Sequence, residues 1–228
     1  MYPVSGEQDD FRVLAERFSL HYVNTPEDRK DLERLLNTES IKRPHIKTLE
    51  ACEAGAHHLL LRHHISGQAV ASVYVLPTPF QADSPPILHG KPLPVLIGRA
   101  RSQGERSSVS EMSVPVLSSV ISIQDWAPKD GWQVGLYLSL ASHALARLLF
   151  HDYLLAELPI ESFKKYRMRG LSFEYACDLP DAQEQSALFY IDLNLDLSAS
   201  SPLYTMSQYV SNAIAPQLNM PELHEKEA

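Results

Sequence analysis

Apolar and polar positions along the chain alternate in short β-type runs, broken by a few longer runs with helical spacing. Phe18–Val23 sets Phe18, Leu20 and Tyr22 against polar neighbours and reads as a strand. A helix start follows. Thr25 can cap, Pro26 suits the first helical position, and Glu27 and Asp28 meet the positive end of the helix dipole. Leu32, Leu35 and Leu36 then form an apolar stripe that ends near Asn37. Ala56–His63 and Ala69–Leu76 are two β-rich runs, and the Ile65-Ser66-Gly67-Gln68 connection between them predicts a hairpin. Residues 77–104 carry six prolines and little periodicity, which predicts a long surface excursion. Ser108–Leu117 reads as a further strand, with Pro115 implying an edge, a bulge or a break in its ladder.

The second half of the chain is more regular. Gly135–Phe150 is apolar nearly all round, so a helix there needs cover on most sides. Tyr153–Leu158 reads as a short buried strand, and Pro159 and Ile160 open a basic helix that stops at Gly170. Leu171–Ala176 and Leu188–Leu195 are expected strands, and residues 203–218 an expected terminal helix broken at Pro216. The order β-α-β-β-β-α-β-α-β-β-α predicts an α/β fold with a mixed sheet and helices on both faces. The division that follows is a leader at 1–17, one domain at 18–200, and a C-terminal helix and tail at 201–228.

Composition narrows the function classes. At 228 residues, 44% apolar and 21% charged, the chain can bury one ordinary core. A net charge of -8 argues against a compact nucleic-acid binder. Cys52 and Cys177 stand alone, without a CxxC spacing, and read as reduced thiols. The start MYPVSGEQDD is polar and acidic, unlike a signal peptide, and no window has the ~18 apolar residues of a membrane helix. The expected location is the cytoplasm.

The segment GLYLSLASHALARLLFHDYLLAELPIESFKKYRMRGLSFEYA runs from a long apolar helix into a strand, a short basic helix ending in Gly170, and Gly170-Leu171-Ser172-Phe173. Together with VSEMSVPVLSS and the hairpin before it, this resembles the acyl-homoserine-lactone synthase and N-acyl amino acid synthase branch of GNAT-like acyltransferases, over roughly residues 18–195. The resemblance implies a mostly antiparallel central sheet. It also implies transfer of an acyl group from an acyl carrier protein or coenzyme A thioester to the amine of a small acceptor such as an amino acid. Glu111 and Ser113 fall on the Glu and Ser of that branch's E-x-S-R strand, while Val114 stands where its Arg would be. The first helix, ERLLNTESIKR, lacks the Arg-rich and aromatic acceptor pattern. The Gly-rich loop that holds coenzyme A pyrophosphate is absent, and only Gln133-Val134-Gly135 approaches it. A carrier-protein donor would reduce the need for such a loop. The same departures suit an alternative, a non-catalytic GNAT-like module that binds a protein partner or an acyl ligand.

Acyl transfer to an amine needs positioning, a proton acceptor and hydrogen bonds to a developing oxyanion. Glu111 is the candidate base, and Ser113, two residues on and so on the same strand face, could orient the acceptor or the carbonyl. Backbone groups from Met112 through Val114 to Val116 would hold the pantetheine arm if Pro115 splays the strand. A helix starting at Gly135 would offer free amides to a phosphate. The plainer readings are a solvent-facing strand Glu and an ordinary loop-to-helix junction.

Metal chemistry has less support. His57-His58 and His63-His64 each point to opposite faces of a strand, and no carboxylate or Cys completes a ligand set, so no metal is expected. His151-Asp152 reads as a helix-terminal His rather than a catalytic dyad. There is no GxSxG elbow and no P-loop.

Overall fold

The structure is a computed structural model, which describes residues 16–42, 48–49, 55–78, 87–88, 91–92, 109–112, 116–117, 130–161, 163–164, 171, 173–178, 186–194 and 202–218. Strand β1 (Phe18–Tyr22) leads into helix α1 (Pro26–Lys42). Strands β2 (His57–His63) and β3 (Ala69–Thr78) follow, then the short pair β4 (Ile87–Leu88) and β5 (Lys91–Pro92). Next come β6 (Val109–Met112), β7 (Val116–Leu117), helix α2 (Asp130–Leu148) and β8 (Tyr153–Pro159). The chain ends its described part with β9 (Glu174–Asp178), β10 (Ser186–Asp192), helix α3 (Pro202–Ile214) and a 3-10 turn at Ala215–Leu218.

The main sheet runs β1-β2-β3-β6-β8-β10-β9, with β7 alongside β3. Every pairing in it is antiparallel except β6 with β8. This is the mixed, mostly antiparallel sheet that the sequence implies. Side-chain alternation divides its residues between two faces. Leu59 and Leu61 join the core built with α2 and α3, which includes Val134, Leu138, Leu145, Val210 and Ile214. Leu60, between them, packs instead with Leu32, Leu35 and Leu36 of α1. Helices therefore cover both faces, and each fully buried Leu contributes ~1.5–3 kcal/mol.

Local chemistry explains several boundaries. The Thr25 hydroxyl accepts the Asp28 amide at 3.1 Å and donates to the Asp28 carboxylate at 2.6 Å, which closes the first turn of α1. Gly67, with φ +66°, makes the β2–β3 turn, whose ends are tied by the His63 amide to the Gln68 carbonyl at 2.9 Å. Phe150, with φ 59°, ends α2, and the His151 amide returns to the Ala146 carbonyl at 3.1 Å.

The structure moves other boundaries. Helix α1 continues to Lys42, five residues past Asn37, and Glu39 near its end is buried. Helix α2 begins at Asp130 rather than Gly135. The ninth strand begins at Glu174 rather than Leu171, and the tenth occupies Ser186–Asp192 rather than Leu188–Leu195. The excursion at 77–104 contains the β4–β5 pairing, and its remaining residues beyond Thr78 lie outside the described ones. The basic helix after β8 is described only at Ile160, Glu161, Phe163 and Lys164, where Phe163 stacks on Phe189 at 4.3 Å; Gly170 lies outside.

Candidate functional site

Strands β6 and β8 are the parallel neighbours, with Val109↔Tyr153, Ser110↔Leu154, Glu111↔Leu155 and Met112↔Ala156 as Cα partners. Parallel strands require a crossover, and here α2 supplies it. Residues 113–115 lie outside the described ones, and β8 continues to Pro159. Where the chain is next described, at β7, it pairs with β3 through Ser72↔Val116 and Ala71↔Leu117 and not with β8. Between Val75↔Met112 and Ser72↔Val116, β3 advances three residues and its partner four. The register against β3 thus differs by one residue between β6 and β7. Open α/β sheets hold ligands at the carboxyl ends of parallel strands, here the end of β6 and β8.

Glu111 stands towards the carboxyl end of β6, between Leu76 of β3 and Leu155 of β8. The pleat puts position 111 on the same face as Val109. Val109 packs there in an apolar cluster with Tyr153, Leu155, Leu188 and Tyr190. The Tyr190 hydroxyl donates to the Glu174 carboxylate at the rim of that cluster. Continuing along β8 on the same face, Glu157 follows Tyr153 and Leu155 and is half-buried. A carboxylate on an inner strand among buried apolar neighbours is uncommon and is a recurrent feature of functional sites. Glu157 was passed over in the sequence because its strand read as uniformly buried. The signal for it was the one charge in YLLAELP.

The remaining candidates separate. Ser113 and Val114 lie outside the described residues, and Val116 is the first residue of β7. Met112 faces the opposite way from Glu111, and its side chain fills the core shared with α2. Val134 is likewise a core side chain, 0% exposed. Because α2 starts at Asp130, Gln133, Val134 and Gly135 stand in the second turn, where backbone amides bond within the helix. The free amides belong to the first turn, so a phosphate held by this helix would sit at residues 130–132 and not at Gly135. The crossover runs α2 back against β6 and β8, which brings that first turn to the carboxyl end of the two strands. A Cβ at Gly135 would meet nothing within 4 Å, so the fold does not require glycine there.

The histidines have structural surroundings. His57 Nδ1 is 2.7 Å from the Tyr22 hydroxyl, while His58, on the other face, lies against the Tyr74 ring at 5.5 Å. Burial, with help from Arg29 and His57, pushes the His58 imidazole down to about 4. Among the described residues no group of three or more His, Cys, Asp or Glu is placed to hold a metal. Among them also, no helix is long and apolar enough to cross a membrane.

No protein-family model and no curated protein sequence matches the chain. Solved structures do. FeeM, an N-acyl amino acid synthase from uncultured soil microbes, is 14% identical with a TM-score of 0.52, over 78% of this chain and 91% of its own. The AHL synthase LasI is 14% identical with a TM-score of 0.52, over 81% and 93%. TofI, in a ternary complex with an inhibitor and MTA, is 12% identical with a TM-score of 0.53, over 83% and 96%. At such identities the likeness concerns the fold, and it agrees with the β6–α2–β8 crossover and its parallel pairing. The chain therefore has the GNAT-like fold of the acyl-homoserine-lactone synthases and N-acyl amino acid synthases.

Proposed function

We propose that this protein transfers an acyl group from an acyl carrier protein or coenzyme A thioester to the amine of a small acceptor such as an amino acid. The observation that carries the reading is the position of Glu111 on β6, beside Leu155 of the parallel strand β8, towards the carboxyl end of the pair. A thioester lying at that end of the two strands would present its carbonyl beside Glu111. The amine nitrogen attacks that carbonyl, the C–N bond forms and the C–S bond breaks. Glu111 takes the amine's proton, directly or through one water, and the departing thiolate ends as a free thiol. Backbone groups from Met112 to Val116 hold the donor's pantetheine arm, and the first turn of α2 receives its phosphate. Glu157, further along the same face of β8, attracts the acceptor's ammonium group before it loses its proton.

Incubation of the protein with acyl donors and mixed amines, with release of free thiol as the readout, tests this. Thiol release that depends on both substrates and falls in Glu111→Gln is the expected result. An active protein whose rate is unchanged in Glu111→Gln removes Glu111 from the mechanism. Tight calorimetric binding of a carrier protein without turnover replaces the enzyme reading by the binding-module one.

A further inference from the structure

Strand β1 carries two polar side chains, Ser19 and His21, two residues apart and therefore side by side on one face of the sheet. Leu60, the Cα partner of His21, packs against Leu32, Leu35 and Leu36, so this is the face that α1 covers in part. Ser19 Oγ lies 2.8 Å from His21 Nε2, and both side chains are half-buried, within reach of a small solute. A hydroxyl held against an imidazole nitrogen is the arrangement of a nucleophile and its base.

A cation stands next to the pair. Arg62 of β2 is the Cα partner of Ser19. Its Nη1 donates to Asp31 and to the Gly67 carbonyl at 3.2 Å, and its Nη2 donates to Asp28 at 2.9 Å. Among the described residues these bonds leave the Nε hydrogen and the second Nη2 hydrogen without an acceptor. Such N–H groups on a guanidinium are donors for an oxyanion that develops beside them. Burial pushes the His21 imidazole below its ordinary value, Arg62 and His64 add to this, and Asp28 opposes it. The ring is therefore neutral at pH 7, and with its proton on Nδ1 it can take the Ser19 proton at Nε2.

We propose that Ser19 and His21 form a second reactive site, which hydrolyses small carboxylic esters with Ser19 as nucleophile, His21 as base and Arg62 as oxyanion donor. Strands β2 and β3 separate it from Glu111 on β6, so the two sites do not share residues. Ser19 Oγ attacks the ester carbonyl carbon, its proton passes to His21 Nε2, and the carbonyl electron pair moves onto the oxygen beside Arg62. That pair then re-forms the carbonyl, the ester C–O bond breaks, and the alcohol leaves with the proton from His21. Water attacks the acyl-serine next. His21 takes the water's proton and returns it to Ser19 as the carboxylic acid departs.

The test incubates the full-length chain with 4-nitrophenyl acetate and no amine, so that acyl transfer to an amine does not enter the readout. Nitrophenolate release is followed together with the mass of the tryptic peptide Phe18–Arg29. Release is expected to fall roughly 10²-fold in Ser19→Ala and in His21→Gln, the low end of what a positioned base contributes. The parent chain should carry one acetyl group on Ser19, and Ser19→Cys, which keeps a nucleophile, should carry it at the same position. The rate of the parent should be half-maximal below pH 6.5, where His21 takes up its proton, and His21→Gln should lack that step. Unchanged release in Ser19→Ala overturns the proposal, as does acetyl found on Tyr22 or a lysine and not on Ser19. A His21→Gln protein that keeps the parent's rate and pH profile overturns it equally.

Discussion

Arg62 Nη2 donates to Asp28 Oδ1 at 2.9 Å, fastening the middle of α1's first turns to strand β2. Arg62 Nη1 bonds Asp31 one turn further along, so one guanidinium spans two carboxylates on the same helix face. The side chains of Arg62 and Asp28 are 13% and 12% exposed, little enough for the arrangement to matter. Burial alone would raise the Asp28 carboxyl, but hydrogen bonds from Thr25 and Arg62, together with the Arg62 charge, hold it below its ordinary value. Arg62→Met takes the cation from Asp28, leaving it only the Thr25 hydroxyl, while Asp31 keeps Arg34, and should cost about 2–4 kcal/mol in urea unfolding. Because the folded Asp28 pKa is depressed, its contribution is present above the ordinary carboxylate range and is lost as pH falls through the folded value. The gap between parent and variant should therefore narrow in acid. A gap that stays constant down to the acid transition would remove the charge from the explanation.

Thr25 makes a smaller prediction. Its hydroxyl satisfies the Asp28 amide, one of the amides that α1 cannot bond internally. It also donates to the Asp28 carboxylate, which steadies the acceptor that Arg62 uses. Thr25→Ala should cost about 0.5–2 kcal/mol, while Thr25→Ser, which keeps the oxygen, should cost much less. Equal losses in the two would mean that the methyl group, not the cap, is what matters.

These features were legible in the sequence to the extent that they are local. The Thr25-Pro26-Glu27-Asp28 start and the Ser66-Gly67 turn each carry their cause within four residues. The start of α2 was not legible, because Asp130-Gly131-Trp132-Gln133 gives no apolar stripe, so periodicity begins only where Val134 enters the core. Ser108–Leu117 reads as one strand because a period-two pattern cannot register the one-residue shift against β3 between Met112 and Val116. Glu111 was visible through a short motif, whereas Glu157 became a candidate only once β8 was known to lie parallel to β6, a pairing set by contacts distant in sequence.

His143 predicts a pH dependence on the acid side. It lies on α2, 1% exposed, and burial, with Arg147 adding to it, pushes its imidazole down to about 4. In the unfolded chain it would take a proton near 6.5, so between those values the unfolded state binds more protons and stability rises with pH. Its contribution is whole above about 6.5 and is lost as pH falls towards 4, with a ceiling of about 3 kcal/mol. His58 is shifted to a similar value and acts in the same sense. Guanidinium unfolding across this window should show the slope, and His143→Leu should flatten part of it and leave the His58 part. An unchanged slope in that variant would assign the whole effect to other groups.

The last prediction concerns the two carboxylates towards the carboxyl ends of β6 and β8. Position 111 pairs with Leu155, and Glu157 lies two residues beyond Leu155 on the same face of β8. If Glu111 removes the amine's proton, Glu111→Gln should lower kcat by roughly 10²–10⁴-fold with little change in KM for the donor. If Glu157 attracts the ammonium form, Glu157→Gln should raise KM for the amine by about tenfold and change kcat little, since one lost charge contact is worth on the order of 1.5–3 kcal/mol. The two substitutions act on one bound acceptor, so their effects on kcat/KM for the amine should fall short of additive by at least about 0.5 kcal/mol. Strict additivity would place Glu157 outside the acceptor's reach. A loss of donor affinity in Glu157→Gln, with the amine KM untouched, would move it to the donor side of the cleft.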